Sequence, residues 1–359
     1  MECMEIESDF WKDKKVLVTG HTGFKGSWLS IWLKLMNADI IGYSKDIPTE
    51  PNLFKLANIE KNMKSVFGDI RNFENLYSII KDFNPEIIFH MAAQSLVSRS
   101  YENPLETYST NVMGTVNLLE AIRKIGNPVT LINITSDKCY ENFDSREGHK
   151  EEDPMGGHDP YSSSKGCAEI ITSAFKRSFF NTNQDRKGIS VATARAGNVI
   201  GGGDWAENRL IPDIIRGILK KRQIIIRNLN AVRPWQYVLE PLRGYIMLAQ
   251  KLESDSVRFS GPWNFGPKNE NIVPVSEIIE KISKYFKIQL DITTENIEKY
   301  HESEILKLNC EKAKSKLAWK PKMNLDESIE FTLDWYKKYQ SNGNMSLTCE
   351  EQIKDYNLL

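Results

Sequence analysis

The stretch KKVLVTGHTGFKGSWLSIWLKLM, Lys14–Met36, decides the fold. Its first part runs through Val16, Leu17 and Val18, a strand-like apolar run, and ends on Gly20. Its last part places Leu29, Trp32, Leu33 and Met36 at i, i+3, i+4 and i+7, the apolar stripe of a helix. Gly20, Gly23 and Gly26 lie between, with Thr22, Phe24 and Lys25 among them. Glycine there permits a tight turn and a close backbone approach. The helix N-terminus that follows offers free N–H groups and a positive dipole end. A glycine-rich turn alone is commonplace; strand, glycines and amphipathic helix together point to a dinucleotide site.

Outward from this unit, strands and helices alternate. ADIIGY and MKSVFGD read as strands, and PEIIFHMAA as a strand that ends in small residues. LETYSTNVMGTVNLLEAIRKIG is a long helix closed by glycine. PVTLINIT and ISVATARAGNVIG are further strands. PYSSSKGCAEIITSAFKRSFF is a helix with Asp159 as N-cap and Pro160 at its first position. Such alternation predicts an α/β protein built on a doubly wound parallel sheet, the Rossmann arrangement. The pattern changes near Gly197. The expected organisation is a dinucleotide-binding domain over 14–196, with segments near 231–267 returning to it. A smaller α/β domain takes 197–230 and 268–340. The tail, 341–359, carries a short helix with Thr348 and Glu351 as its capping box.

Composition narrows the function classes. Lys plus Arg number 47 and Asp plus Glu 48, which gives no electrostatic reason to expect nucleic acid or membrane. The acidic start MECMEIESDF has no signal-peptide core, and no apolar run approaches a membrane span. Cys3, Cys139, Cys167, Cys310 and Cys349 are scattered, so free thiols in a reducing cytoplasm are expected rather than disulfides or a metal site.

Several residues carry chemistry. Tyr161 and Lys165 stand at i, i+4 on one helix face, where an ammonium lowers a phenol's pKa and makes it a base toward a sugar hydroxyl. The same spacing at Tyr77 and Lys81 reads as a solvated face. Ser136, Asp137 and Lys138 end the strand LINIT, at the edge of the sheet where ligands bind. Alone they would read as a polar turn bonding its own backbone; beside a dinucleotide fold they read as catalytic. Ser44 stands where an acid usually holds the ribose, so the ribose end does not separate NAD from NADP. Asp69, followed by Ile70, either accepts from an adenine amine or caps the next helix. Arg195, Arg209 and Arg233 suit an anionic diphosphate or surface salt bridges. Trp205 and Trp235 either stack on a base or pack under loops.

The runs TGHTGFKGSW, HMAAQSLVSRSY, TNVMGTVNLLEA, TSDKCYEN, DPYSSSKGCAE, ARAGNVIGGGDWAENRLIPD, RPWQYVLEPL and LAWKP resemble the extended short-chain dehydrogenase/reductase family of nucleotide-sugar enzymes. The glycines and the Tyr–Lys pair mark only the superfamily. SDKCYEN and GNVIGGGDWA are similar to its dehydratases of CDP-glucose.

The resemblance implies NAD+ as cofactor, a homodimer, no metal, and a place in deoxysugar biosynthesis. It implies that Tyr161 takes the O4 proton as hydride leaves C4, that water departs across C5 and C6, and that hydride returns to C6. The product would be CDP-4-dehydro-6-deoxy-D-glucose. A cofactor that ends as it began favours NAD+ despite Ser44. Ser136 would bond O4, Asp137 would be the acid at the C6 hydroxyl, and Lys138 would stand where related dTDP-glucose dehydratases place a glutamate base. Ala92, Ala93, Gln94 and Asn111 would line the cofactor or support the site. Arg195, Asn198, Arg209 and Arg233 would hold the nucleotide-sugar. A nucleotide-sugar 4-epimerase, a dehydratase for another nucleotide, and a non-catalytic NAD(P)-binding regulator are the competing readings.

Overall fold

The computed structural model of the chain describes residues 6–141, 147–180, 188–294 and 306–359. Cys3, and Asn142 at the end of the SDKCYEN run, lie outside them. The apolar runs form strands β1 (Lys15–Thr19), β2 (Asp39–Ser44), β3 (Lys64–Phe67), β4 (Ile87–His90), β5 (Val129–Ile134) and β6 (Ile189–Ala196). Further strands are β7 (Asn198–Ile200), β8 (Ile224–Ile226), β9 (Val232–Tyr237), β10 (Gly261–Phe265), β11 (Ile272–Pro274) and β12 (Ile292–Thr294). One seven-stranded sheet has the order β10-β6-β5-β4-β1-β2-β3, every pair parallel. β7, β9 and β11 make a second sheet, and β8 and β12 a third.

Alternation along β1 shows how the main sheet is covered. Val16 and Val18 face one apolar cluster with Trp28, Trp32 and Trp263, while Leu17 faces the other with Leu118 and Leu131. β5 and β6 are buried throughout, as strands covered on both faces must be. Strand order reverses between β1 and β4, so the crevice beyond their carboxyl ends is the ligand position of such sheets. The segments after β1, β4 and β5 all open there. β10, from the second half of the chain, adds the edge strand beside β6 and sets Asn264 opposite Arg195.

The C-terminal helix, Met345–Leu358, begins earlier than expected. Asn344 is its cap, accepting from Ser346 and Leu347. Thr348 lies inside the first turn and donates back to the Asn344 carbonyl, so it caps nothing. Among the described residues a full capping box forms at Asn324 with Glu327, opening the helix Leu325–Gln340.

Candidate active site

The glycine turn divides its labour. Gly20 has φ +78°, and a Cβ on it would lie 2.7–2.8 Å from Met91 and Ala92 backbone. A Cβ on Gly26 would lie 2.2 Å from the Gly20 carbonyl oxygen. These two glycines serve the turn and the packing of helix Phe24–Leu35 on the sheet. A Cβ on Gly23 would meet only the Gly20 oxygen, at 3.3 Å, so the space in front of it is open. Helix Phe24–Leu35 has no side-chain cap and no acid in its first turn, which leaves its N–H groups aimed at that space. Lys25 projects from the same turn, and burial pushes its ammonium down to about 8. Open glycine, uncapped helix and lysine fit a pyrophosphate, and hence a dinucleotide.

The adenosine end is more crowded than the sequence suggests. Ser44 Oγ bonds His21 Nδ1 at 2.9 Å and receives the Thr22 N–H at 3.3 Å. His21 Nε2 reaches Ser65 Oγ at 2.7 Å, and burial lowers the ring's pKa to about 4, so it is neutral. Asp69 does not cap the following helix; Asn72 does. The Asp69 carboxylate pairs with Arg71 through three contacts, and that bonding holds its pKa below the usual range. Ile70 is buried beside it.

Asn111 stitches the β4 edge to the Tyr–Lys helix. Its side chain accepts from Gln94 N–H at 2.8 Å and donates to the Gln94 carbonyl and to Ser164 Oγ, both at 2.9 Å. It sits in a π-helical segment, Ser109–Met113, a distortion common at functional sites. The Ala92 backbone packs against Gly20, and Ala93 joins it in sequence to Gln94.

Beyond β5, Ser136 caps a 3-10 turn of Asp137, Lys138 and Cys139. The Lys138 N–H bonds Ser136 Oγ at 3.3 Å, so the local polar turn exists. The turn also does more. Ser136 Oγ donates to Asp137 Oδ1 at 2.9 Å, and Ser136 also acts on the Tyr161 phenol, pulling its pKa down. Asp137 is 3% exposed, and its Oδ2 has no partner among the described residues. Burial raises its pKa against the pull of Lys138, Ser136 and Lys25.

Helix Pro160–Phe175 carries Tyr161 and Lys165, capped by Asp159 as expected. Burial pushes the Tyr161 phenol up to about 12, with Ser136 pulling the other way. The expected lowering by Lys165 is therefore absent in the protein alone. Burial drives Lys165 itself down to about 8, and its Nζ donates to the Ile134 carbonyl at 3.3 Å.

Arg195 corrects the expectation of a substrate ligand. It is 3% exposed and lies behind the site, held by Glu169 through bonds of 2.9 and 2.8 Å. It also donates to Tyr140 Oη at 2.6 Å and to the Glu151 carbonyl at 3.1 Å. Four of its five N–H donors are committed to this buried network. Glu169 completes the network by accepting from Thr193 at 2.7 Å and from Thr135, the residue before Ser136. Glu169 escaped the sequence reading, although i+4 from Lys165 on the same helix was the available signal.

Arg209 does face the site. It senses Tyr161 and Lys25 electrostatically, and its Nη1 bonds Asp204 Oδ2 at 3.0 Å. Asp204, also missed, is set by Tyr336, whose phenol donates to its carbonyl. Asn198 stands on β7 beside Trp235 of β9, and Arg233 is on β9 opposite Val273. Trp205 packs against Tyr336 and Tyr339, and Trp235 donates to the Val273 carbonyl; both are buried structural residues.

The chain matches the family model described as GDP-mannose 4,6 dehydratase over residues 17–332. It is 50% identical over 352 residues to the CDP-glucose 4,6-dehydratase of Salmonella typhimurium, covering 98% of each chain. It is 25% identical to the CDP-paratose 2-epimerase of Salmonella typhi, over 89% of this chain and 98% of that one. The dTDP-glucose 4,6-dehydratase of Bacillus anthracis, solved in complex with NAD, superposes with a TM-score of 0.75 at 26% identity, over 93% of this chain and 99% of that one. The family model spanning residues 17–332 and a half-identical relative covering 98% of each chain place the protein in the GDP-mannose 4,6-dehydratase family of NAD-dependent nucleotide-sugar epimerases and dehydratases.

Proposed function

We propose that the protein dehydrates CDP-D-glucose to CDP-4-dehydro-6-deoxy-D-glucose. The observation that carries this reading is the line Tyr161–Ser136–Asp137, which ends on a buried carboxyl whose pKa burial raises. A 4-epimerase needs the tyrosine and serine but has no leaving hydroxyl for the acid to protonate. The half-identical Salmonella typhimurium relative bears the name of a CDP-glucose 4,6-dehydratase, and that favours cytidine over other nucleotides.

NAD, when bound, supplies the hydride acceptor and donor together with a positive nicotinamide ring. The chain's residues do the rest. Tyr161, on which Ser136 acts, receives the O4 proton, and a cation beside the phenol offsets the burial that holds its pKa near 12. Lys165 anchors on the Ile134 carbonyl one helical turn beyond Tyr161. Asp137 delivers its proton to the departing C6 hydroxyl. Lys138, next in the turn, takes the C5 proton. Gly23, Lys25 and the uncapped helix bind the pyrophosphate, and Arg209, set by Asp204, binds the substrate diphosphate with Asn198 and Arg233. Holding the reacting groups on one turn supplies proximity.

A second copy completes the protein. Leu105, Met113 and Ile170 are each more than half exposed, on segments of adjacent packed helices, and favour a homodimer. Sedimentation should show a dimer that Ile170→Glu weakens. The buried free thiols Cys139, Cys310 and Cys349 favour a reducing, cytoplasmic setting.

The test is a panel of CDP-, dTDP-, UDP- and GDP-glucose, followed by mass and NMR. A 4-keto-6-deoxy product formed with the highest kcat/KM from CDP-glucose is expected. Preference for another nucleotide, or a galactose product, would replace this reading.

A further inference from the structure

The adenosine end lacks the usual ribose acid, and its sequence is basic: Lys45 follows Ser44, and Arg71 follows the Asp69 strand end. Such a set would ordinarily invite a 2′-phosphate. The structure brings a carboxylate there from elsewhere in the chain. Glu106, in the helix Pro104–Tyr108, takes Arg99 through bonds of 2.8, 3.1 and 3.1 Å. Its Oε1 lies 3.6 Å from Lys45 Nζ. The Glu106 side chain is 17% exposed, whereas Lys45 is 50% exposed and Arg99 54%. Its charge also reaches Arg71. An open depression of about 530 Å³, lined in part by Arg71, Arg99 and Glu106, lies between these groups.

We propose that Glu106 is the specificity-determining residue that keeps the adenosine end selective for an unphosphorylated ribose. It does from a distant helix what the absent ribose acid does in other dinucleotide sites. This inference rests on the NAD reading of the cradle. The arithmetic is local. Lys45, Arg71 and Arg99 bring three positive charges; Asp69 and Glu106 remove two. Asp69 is committed to its neighbour Arg71, so Glu106 is the carboxylate that pairs with Arg99 and lies 3.6 Å from Lys45, offsetting one of their two charges. A 2′-phosphate carries about −1.5 to −2 charges at neutral pH. It would meet Glu106 as a like charge and find Lys45 and Arg99 already engaged. Removing the Glu106 charge raises the cluster from +1 to +2 and frees both cations.

The experiment loads the full-length protein with radiolabelled NAD+ and displaces the label with unlabelled NAD+ or NADP+. Glu106→Gln should improve NADP+ relative to NAD+ by about fivefold or more at low salt, the scale of one partly exposed charge contact, and less at high salt. Lys45→Ala added to Glu106→Gln should remove most of the gain. Lys45→Ala alone should change the ratio little, because Glu106 already opposes that ammonium. An unchanged ratio in Glu106→Gln, with its thermal melt intact, overturns the proposal. If Glu106→Gln unfolds, Lys45→Ala alone decides: a clear loss of NADP+ competition shows that Lys45 was free to bind phosphate and overturns it. Failure of unlabelled NAD+ to displace the label overturns the cradle reading and this inference together.

Discussion

Ser136 Oγ donates to Asp137 Oδ1 at 2.9 Å, and Asp137 Oδ2 is buried with no partner among the described residues. A carboxylate in that position would keep one oxygen desolvated and unpaired, so the protonated form is favoured. An acid raised this way keeps its proton above the ordinary carboxyl range and loses it as pH rises through the raised value. Turnover limited by that proton should therefore fall on the alkaline side. Asp137→Asn should lower kcat by about 10²–10⁴ and remove the alkaline limb assigned to this acid. Rapid-quench mass analysis should then show the 4-keto sugar still bearing its C6 hydroxyl.

Gly20 and Gly23 should fail differently. Gly20→Ala forces a side chain to φ +78° and into Met91 and Ala92 backbone, so it should lower the melting temperature. Gly23→Ala meets only one oxygen at 3.3 Å and should fold, yet weaken NAD affinity by about tenfold, roughly 1.4 kcal/mol. Thermal melts and cofactor titrations of the two variants check this.

The Glu169–Arg195 pair should govern stability rather than substrate affinity. Glu169→Gln strands a buried guanidinium and should cost about 3–5 kcal/mol in urea unfolding. Adding Arg195→Met should restore much of that loss. Arg209→Ala should raise KM for CDP-glucose about tenfold, as loss of a charged hydrogen bond predicts, and should also lower the unfolding midpoint, because it leaves the buried Asp204 carboxylate without its guanidinium.

Lys138 is assigned to the C5 proton. Lys138→Ala should leave C4 oxidation measurable and slow exchange of the C5 proton with solvent deuterium. Exchange at the wild-type rate would move the base role to another group.

Local signals carried much of the site into view. The Gly20–Gly26 turn, the Ser136–Lys138 strand end and the Tyr161–Lys165 helix are each contiguous or one turn apart, so spacing alone exposes them. What spacing does not show is depth and distant pairing. Arg195 looks like any arginine beside a ligand edge; β10 and helix Pro160–Phe175 bury it. Glu106 meets Lys45 only because helix and strand end converge in space. Tyr161 has Lys165 at the right offset, but desolvation sets the phenol's pKa, and burial is a tertiary property. Thr348 has the capping-box pattern, yet Asn344 starts the helix one turn sooner.

The most direct test of the whole account follows one atom. CDP-glucose deuterated at C4 is turned over, and the product is examined by NMR. The account predicts deuterium at C6 of a 4-keto-6-deoxy sugar, because oxidation, elimination and reduction occur within one crevice. Deuterium retained at C4 of a galactose nucleotide, or absent from C6 of the deoxysugar, would contradict it.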